Sequence, residues 1–220
     1  MVLIIIALVQ PKVRFVGRRV EFLVRKTRES KQNGTPDIAN GVLANLAVIF
    51  AYVFSYGLVT FAILPLQSIF LPELSKSVCL VFLPSGVKMF AILAFGEFIL
   101  PALLIASLFC DHFFWGIENF NLLAAVTACG IGVYYLVIEI SSKLGVDIYL
   151  PDDFSKIPNP RQILLLGMFA SSLNGILSSA ILADFTPYHD GGVVAMMYLL
   201  GDTVGLLAFT AIAWLVSKVV

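Results

Sequence analysis

Charge is what this chain has least of. Only 13% of its 220 residues are Asp, Glu, Lys or Arg, against about 25% in ordinary soluble domains. Hydrophobic residues make up 60% and the mean hydropathy is +0.97. A surface this apolar would aggregate in water, so composition excludes a soluble domain of useful size and points to a lipid solvent. Histidine is scarce as well, with only His112 and His189. Neither has the spacing to acidic or cysteine neighbours that a zinc site requires, so no metal is expected. The three cysteines, Cys79, Cys110 and Cys129, lie in or beside apolar runs without CxxC spacing. They read as small buried hydrophobes, with no disulfide framework. Phosphate-binding loops, nucleophile elbows and metalloprotease motifs are all missing, so neither an enzyme nor a cofactor is expected. No base-reading module is present, which sets nucleic acid aside as a partner.

What charge there is lies unevenly. Eight of the 14 basic residues fall between Lys12 and Lys31. Residues 1–40 thus form a basic cytoplasmic arm, and NGTPD at 33–37 is a turn that closes it. Val13, Val16, Val20, Leu23 and Val24 share a helical stripe opposite Arg14, Arg18 and Arg25. Two readings stand: an amphipathic helix on an anionic membrane surface, or a solvated tail that only sets orientation. The leading MVLIIIALV is too short to span and precedes its charges. That is the reverse of a secretory signal, so no cleavage is expected.

Residues 41–220 carry the spans. Four apolar runs fit single crossings: Val42–Leu64, Asn119–Ser141, Arg161–Ala183 and Val193–Val216. A fifth, Ser77–Cys110, is too long. As one helix its 34 residues would extend about 51 Å, where the hydrocarbon core is about 30 Å. Splitting it at Gly96-Glu97 makes two short crossings and gives six spans in all. With the N-terminus inside, twelve of the 14 basic residues then face the cytoplasm, as the positive-inside rule asks. Lys76 falls outside with Asp111, His112, Glu118, His189 and Asp190, and Lys88 stays in the membrane. Trp115 and Trp214 suit the two aromatic belts. The fold class is therefore all-α: a polytopic integral membrane helical bundle of about six transmembrane helices, both termini cytoplasmic.

Two charges remain at mid-depth. Lys88 lies about eleven residues below the outer end of span two and Asp202 about nine below that of span six, roughly 14–16 Å deep. Each alone would cost about 2.5–3.5 kcal/mol to insert. Pairing between them would offset this cost and tie the two spans together; the alternative is that each faces a wet cavity separately. Such a pair either forms a ligand or relay site or only fixes which helices meet. In span five Gly167, Ser171, Asn174, Gly175 and Ser178 share one face. That face either packs closely, with Asn174 bonding across the interface, or lines a cavity with Asp202. Gly201 and Gly205 form a GxxxG. Glu139 and Lys143 fit an interfacial i,i+4 pair, and Glu97 fits a solvated inner turn.

VFLPSGVKMFAILAFGEFILPALLIASLF, residues 81–109, and YLLGDTVGLLAFTAIAWL, residues 198–215, resemble the bacterial membrane-associated sensor domain family, first (MASE) type. The elements that carry the resemblance are Pro84, Gly86, Gly96 and Pro101, then Gly201, Asp202 and Gly205; it covers roughly residues 42–217. It implies an integral inner-membrane input module of bacterial signalling proteins, multi-pass. Members normally continue into a cytoplasmic output domain, and often have more spans than six, whereas this chain ends at Val220. The expectation is therefore a stand-alone, sensor-like module in the lipid bilayer, acting through a separate cytoplasmic or membrane signalling partner and binding a small molecule. Its ligand-binding or helix-coupling residues would be Lys88, Asp202, Asn174, Pro84, Gly86, Gly201 and Gly205. Small-solute transport, or a substrate-binding transporter subunit, is a second reading. A purely structural membrane subunit is a third.

Overall fold

The computed structural model describes residues 38–72, 79–146, 160–182 and 191–219, so the basic arm lies outside the described residues. Those described are helical apart from short connections, and contain no strand. Helix α1, Ile38–Leu58, runs through a π-helical turn at Val59–Ile63 into α2, Leu64–Phe70. Pro65 accounts for the π turn. Its ring would collide with the carbonyl one turn back, and one extra residue in the turn relieves the clash. The Leu64 N–H accordingly bonds to the Val59 carbonyl. The first helical run thus reaches beyond the expected end at Leu64, to Phe70.

Helix α3, Leu83–Phe95, begins with Pro84 in its first turn and ends at Gly96. Gly96 has φ 64° and ψ −145°, a conformation that side chains with a Cβ rarely adopt. A 3-10 turn, Gly96–Ile99, leads into α4, Leu100–Phe113, with Pro101 in its first turn. The chain doubles back here. As a continuous helix, residues 82 and 114 would lie about 48 Å apart. Instead Phe82 and Phe114 both pack on Tyr56, with ring centroids 5.4 and 5.6 Å away. The Phe98 ring, at the turn, lies against Gly41 at the other end of α1.

Helix α5, Phe120–Lys143, is capped by Asn119, whose Oδ1 accepts the N–H groups of Asn121 and Leu122 at 3.0 and 3.2 Å. It closes on Gly145, φ 87°. Helices α6, Pro160–Leu182, and α7, Gly191–Val219, complete the set. The order of packing is a closed ring: α1 against α4, α4 against α5, α5 against α6, α6 against α7, α7 against α3, and α3 against α1. Helix α3 also crosses to α5, and ten of its thirteen residues are buried. It is the core helix.

Five stretches among the described residues are long and apolar enough to cross a membrane: Gly41–Phe70, Leu83–Phe113, Phe120–Lys143, Arg161–Leu182 and Ala195–Ile212. The molecule differs from a soluble protein in its surface, which is apolar around an apolar core. Phe50, Phe54, Phe61 and Phe70 are exposed, while Lys88, Asp111, Asn174 and Asp202 are buried. That distribution suits lipid outside and a few polar groups enclosed within the bundle.

Small residues set the closeness of α7 to its neighbours. A Cβ on Gly201 would meet the Cys79 carbonyl, one on Gly205 the Phe82 carbonyl, and one on Gly86 the Phe209 side chain. The non-helical segment Cys79–Phe82 is thereby pressed against α7. Two of its backbone N–H groups bond to the protein: Phe82 N–H donates to the Gly201 carbonyl at 3.0 Å, and Leu80 N–H to Gln67 Oε1 at 2.9 Å. Irregular backbone is tolerated at membrane depth only under such cover. Gly205→Ala is expected to lower stability by about 1–3 kcal/mol through overpacking on rigid backbone. Gly132→Ala, where a Cβ meets nothing within 4 Å, is expected to be neutral or stabilising by up to about 1 kcal/mol. Unfolding in detergent measures both; equal losses would contradict this packing.

Candidate ligand chamber

Between α3, α5, α6, α7 and the end of α4 lies a cavity of about 440 Å³. Its deep end holds Lys88, Gly130, Asn174 and Asp202. Asp111 and Tyr56 stand along its wall, and its mouth reaches the exposed α4–α5 connection, Trp115 to Asn119.

Asp202 is 2% exposed. Its Oδ2 accepts from Asn174 Nδ2 at 2.9 Å and from the Tyr134 hydroxyl at 3.2 Å. Because Tyr134 uses its proton on the carboxylate, Ser171, 3.0 Å away, donates to the Tyr134 oxygen. Asn174 is held in its orientation from the other side, where Ser178 donates to its Oδ1 at 3.2 Å. Ser85 Oγ bridges the carbonyls of Phe82 and Asp202 at 2.7 and 2.8 Å, so the start of α3 is bonded to the backbone beneath the carboxylate.

Lys88 is 5% exposed. Its Nζ donates to the Gly130 carbonyl at 3.2 Å and sits 5.1 Å from the Tyr134 ring centroid and 5.8 Å from that of Phe82. Aromatic faces of this kind stabilise a desolvated cation. Helix α3 starts at Leu83, so Lys88 lies on its second turn, nearer a helix end than expected from the apolar run. Both charges still reach Tyr134. The direct Lys88–Asp202 ion pair expected from sequence is not formed among the described residues: each charge has other partners, and both face the same cavity.

Like Tyr134, Asp111 is a residue that sequence reasoning missed. Assigned there to an outer loop, it lies on the last turn of α4 and is 9% exposed. Tyr56 donates to its Oδ1 at 2.8 Å, and Ser107 and Thr127 donate to its Oδ2 at 3.1 and 2.9 Å. Tyr52 in turn donates to Ser107 at 3.2 Å. Three hydroxyl donors thus converge on one carboxylate.

The expected site residues divide by place. Lys88, Asp202, Asn174 and Gly201 line the cavity. Pro84 opens α3, while Gly86 and Gly205 serve helix contact. The small-residue face of α6 does both jobs. Gly167 packs on Leu206 and Gly175 on Ala195, while Asn174 and Ser178 face the cavity beside Asp202. Glu139 and Lys143 are 3.5 Å apart on the surface, and Glu97 is exposed in the 3-10 turn. Among the described residues no three His, Cys, Asp or Glu converge as metal ligands; His189, Asp184 and Asp190 lie outside them, as does the Trp214 side chain.

Replacing Asp111 by Ala strands three buried hydroxyls. The expected cost is about 1–3 kcal/mol of stability, whereas His112→Ala, on an exposed ring, is expected to cost under about 0.5 kcal/mol. Equal thermal unfolding of the two variants would mean that Asp111 is not the acceptor described.

Comparison with known proteins finds no match for this chain among family models, curated proteins or solved structures.

Proposed function

We propose that this protein is a multi-pass bacterial inner-membrane module of the sensor type, which binds a small polar ligand in the chamber between its helices. The observation that carries the reading is the chamber itself: about 440 Å³ of space with Lys88, Asp111 and Asp202 on its walls. Charges are costly in a bilayer and are normally kept there for a ligand or ion path. The resemblance of residues 81–109 and 198–215 to the membrane-associated sensor family supplies the signalling part of the proposal. In this reading the chain crosses six times, with both termini cytoplasmic, because α3 and α4 each cross once and the basic residues then collect on one side. The role is binding rather than catalysis, and the output passes to a separate protein partner. A ligand shifts the helices only by fitting one arrangement better than another. Helix α3 is suited to report it, since it carries Lys88 and packs on α1, α5 and α7.

Solute transport is the second reading, favoured by one observation. The non-helical Cys79–Phe82 segment lies against Gly201 and Gly205 at the depth of Asp202, and broken helices beside mid-membrane charges are common in transporters.

A screen of small polar compounds against the protein purified in mild detergent is expected to raise its unfolding temperature with at least one class of compound. Gly130→Leu should abolish that gain. At Gly130 a Cβ meets Lys88 Nζ and Asn174 Oδ1 only at 3.5 and 3.7 Å, so the longer side chain projects into the chamber. Stabilisation that survives Gly130→Leu places the ligand elsewhere, and accumulation of the compound in vesicles bearing this protein alone would favour transport over sensing.

A further inference from the structure

We infer that the chamber takes a compact zwitterion, a small molecule with an ammonium and a carboxylate close together, such as a free α-amino acid. This rests on the ligand-chamber reading above and adds the class of ligand. Lys88 Nζ has three N–H donors and among the described residues uses one, on the Gly130 carbonyl. Asp202 receives both of its hydrogen bonds on Oδ2, and no described residue donates to Oδ1. A donor cation and an acceptor anion thus line one cavity without contacting each other. A ligand that carries the complementary pair would partner both. Its carboxylate meets the free N–H groups of Lys88, and its ammonium meets Oδ1 of Asp202.

Single-charge ligands fare worse on both counts. An organic cation at Asp202 would leave Lys88 facing a like charge in a desolvated site. An organic anion at Lys88 would face Asp202, with Asp111 further along the wall. Like-charge juxtaposition of this kind is how a site rejects a wrong ligand. Asp111 is the weaker partner for the ammonium, because Tyr56, Ser107 and Thr127 already donate to it. Leu122, Val126 and Tyr198 supply apolar wall toward the mouth. That wall suits an apolar substituent on the zwitterion.

The test is equilibrium binding to the full chain in mild detergent. The probes are the common free α-amino acids and, for the tightest, its two single-charge relatives; for L-leucine these are 3-methylbutylamine and 4-methylpentanoate. At least one amino acid is expected to bind tenfold or more tightly than either relative. Lys88→Met should reduce its affinity to that of the amine, and Asp202→Asn to that of the carboxylate. Equal binding by the amine makes the chamber a cation site, and equal binding by the carboxylate an anion site; either result overturns the inference. If no amino acid binds while a neutral compound stabilises the protein in a manner sensitive to Gly130→Leu, the zwitterion is wrong and the chamber stands. If amino-acid binding is indifferent to Gly130→Leu, the chamber reading itself fails. Should either charge variant fail to fold, the three-ligand comparison on the unaltered protein decides alone.

Discussion

Everything about the interior follows from how the chain reverses at Gly96. With φ 64° and ψ −145°, that residue ends α3 after thirteen residues and sends α4 back along α1. Two consequences meet at Tyr56. Phe82, entering α3, meets the tyrosine ring edge-on, and Phe114, leaving α4, stacks on the same ring. The return also carries Asp111 up to the hydroxyls of Tyr56 and Thr127, which belong to helices far apart in the chain. A straight helix over the same residues would leave Lys88 and Asp111 at unrelated depths and carry Asp111 away from Tyr56, Thr127 and the cavity.

The balance of forces inside that cavity explains why the charges are tolerated. Hydrogen bonds to an ionised group are worth about 1.5–3 kcal/mol each, comparable with the cost of inserting one charge into a bilayer, about 2.5–3.5 kcal/mol. Asp111 accepts three such bonds and Asp202 two. Lys88 has one, with two aromatic faces beside it. Asp111 is therefore the more completely bonded carboxylate. Lys88 and Asp202 have fewer partners among the described residues, and both line the same cavity.

Much of this was legible in the sequence, for reasons of length and cost. An apolar run of 34 residues is too long for one crossing, and Gly96 is where it breaks. Lys88, Asp202 and Asn174 stood out because lipid penalises such side chains. Asp111 did not, since it sits beside His112 at the end of an apolar run and reads as loop; only its distant hydroxyl partners give it a place inside. Tyr134 was equally hidden, because a tyrosine in an apolar helix is unremarkable until its hydroxyl is seen on Asp202. Matched depth suggested a direct ion pair for Lys88 and Asp202. Depth says nothing of rotation about the helix axis, and rotation directs both toward Tyr134 and the cavity instead. The π turn ahead of Pro65 likewise lengthened the first helix beyond its expected end.

The reversal at Gly96 is open to direct measurement. Spin labels at Val81 and Glu118, on either side of the α3–α4 pair, report their separation in detergent or nanodiscs by pulsed electron resonance. The doubled-back chain predicts one short distance, because the flanking Phe82 and Phe114 rings lie 5.4 and 5.6 Å from Tyr56. A population centred near 50 Å, the length of one uninterrupted helix of about 32 residues, would contradict the account and remove the chamber with it.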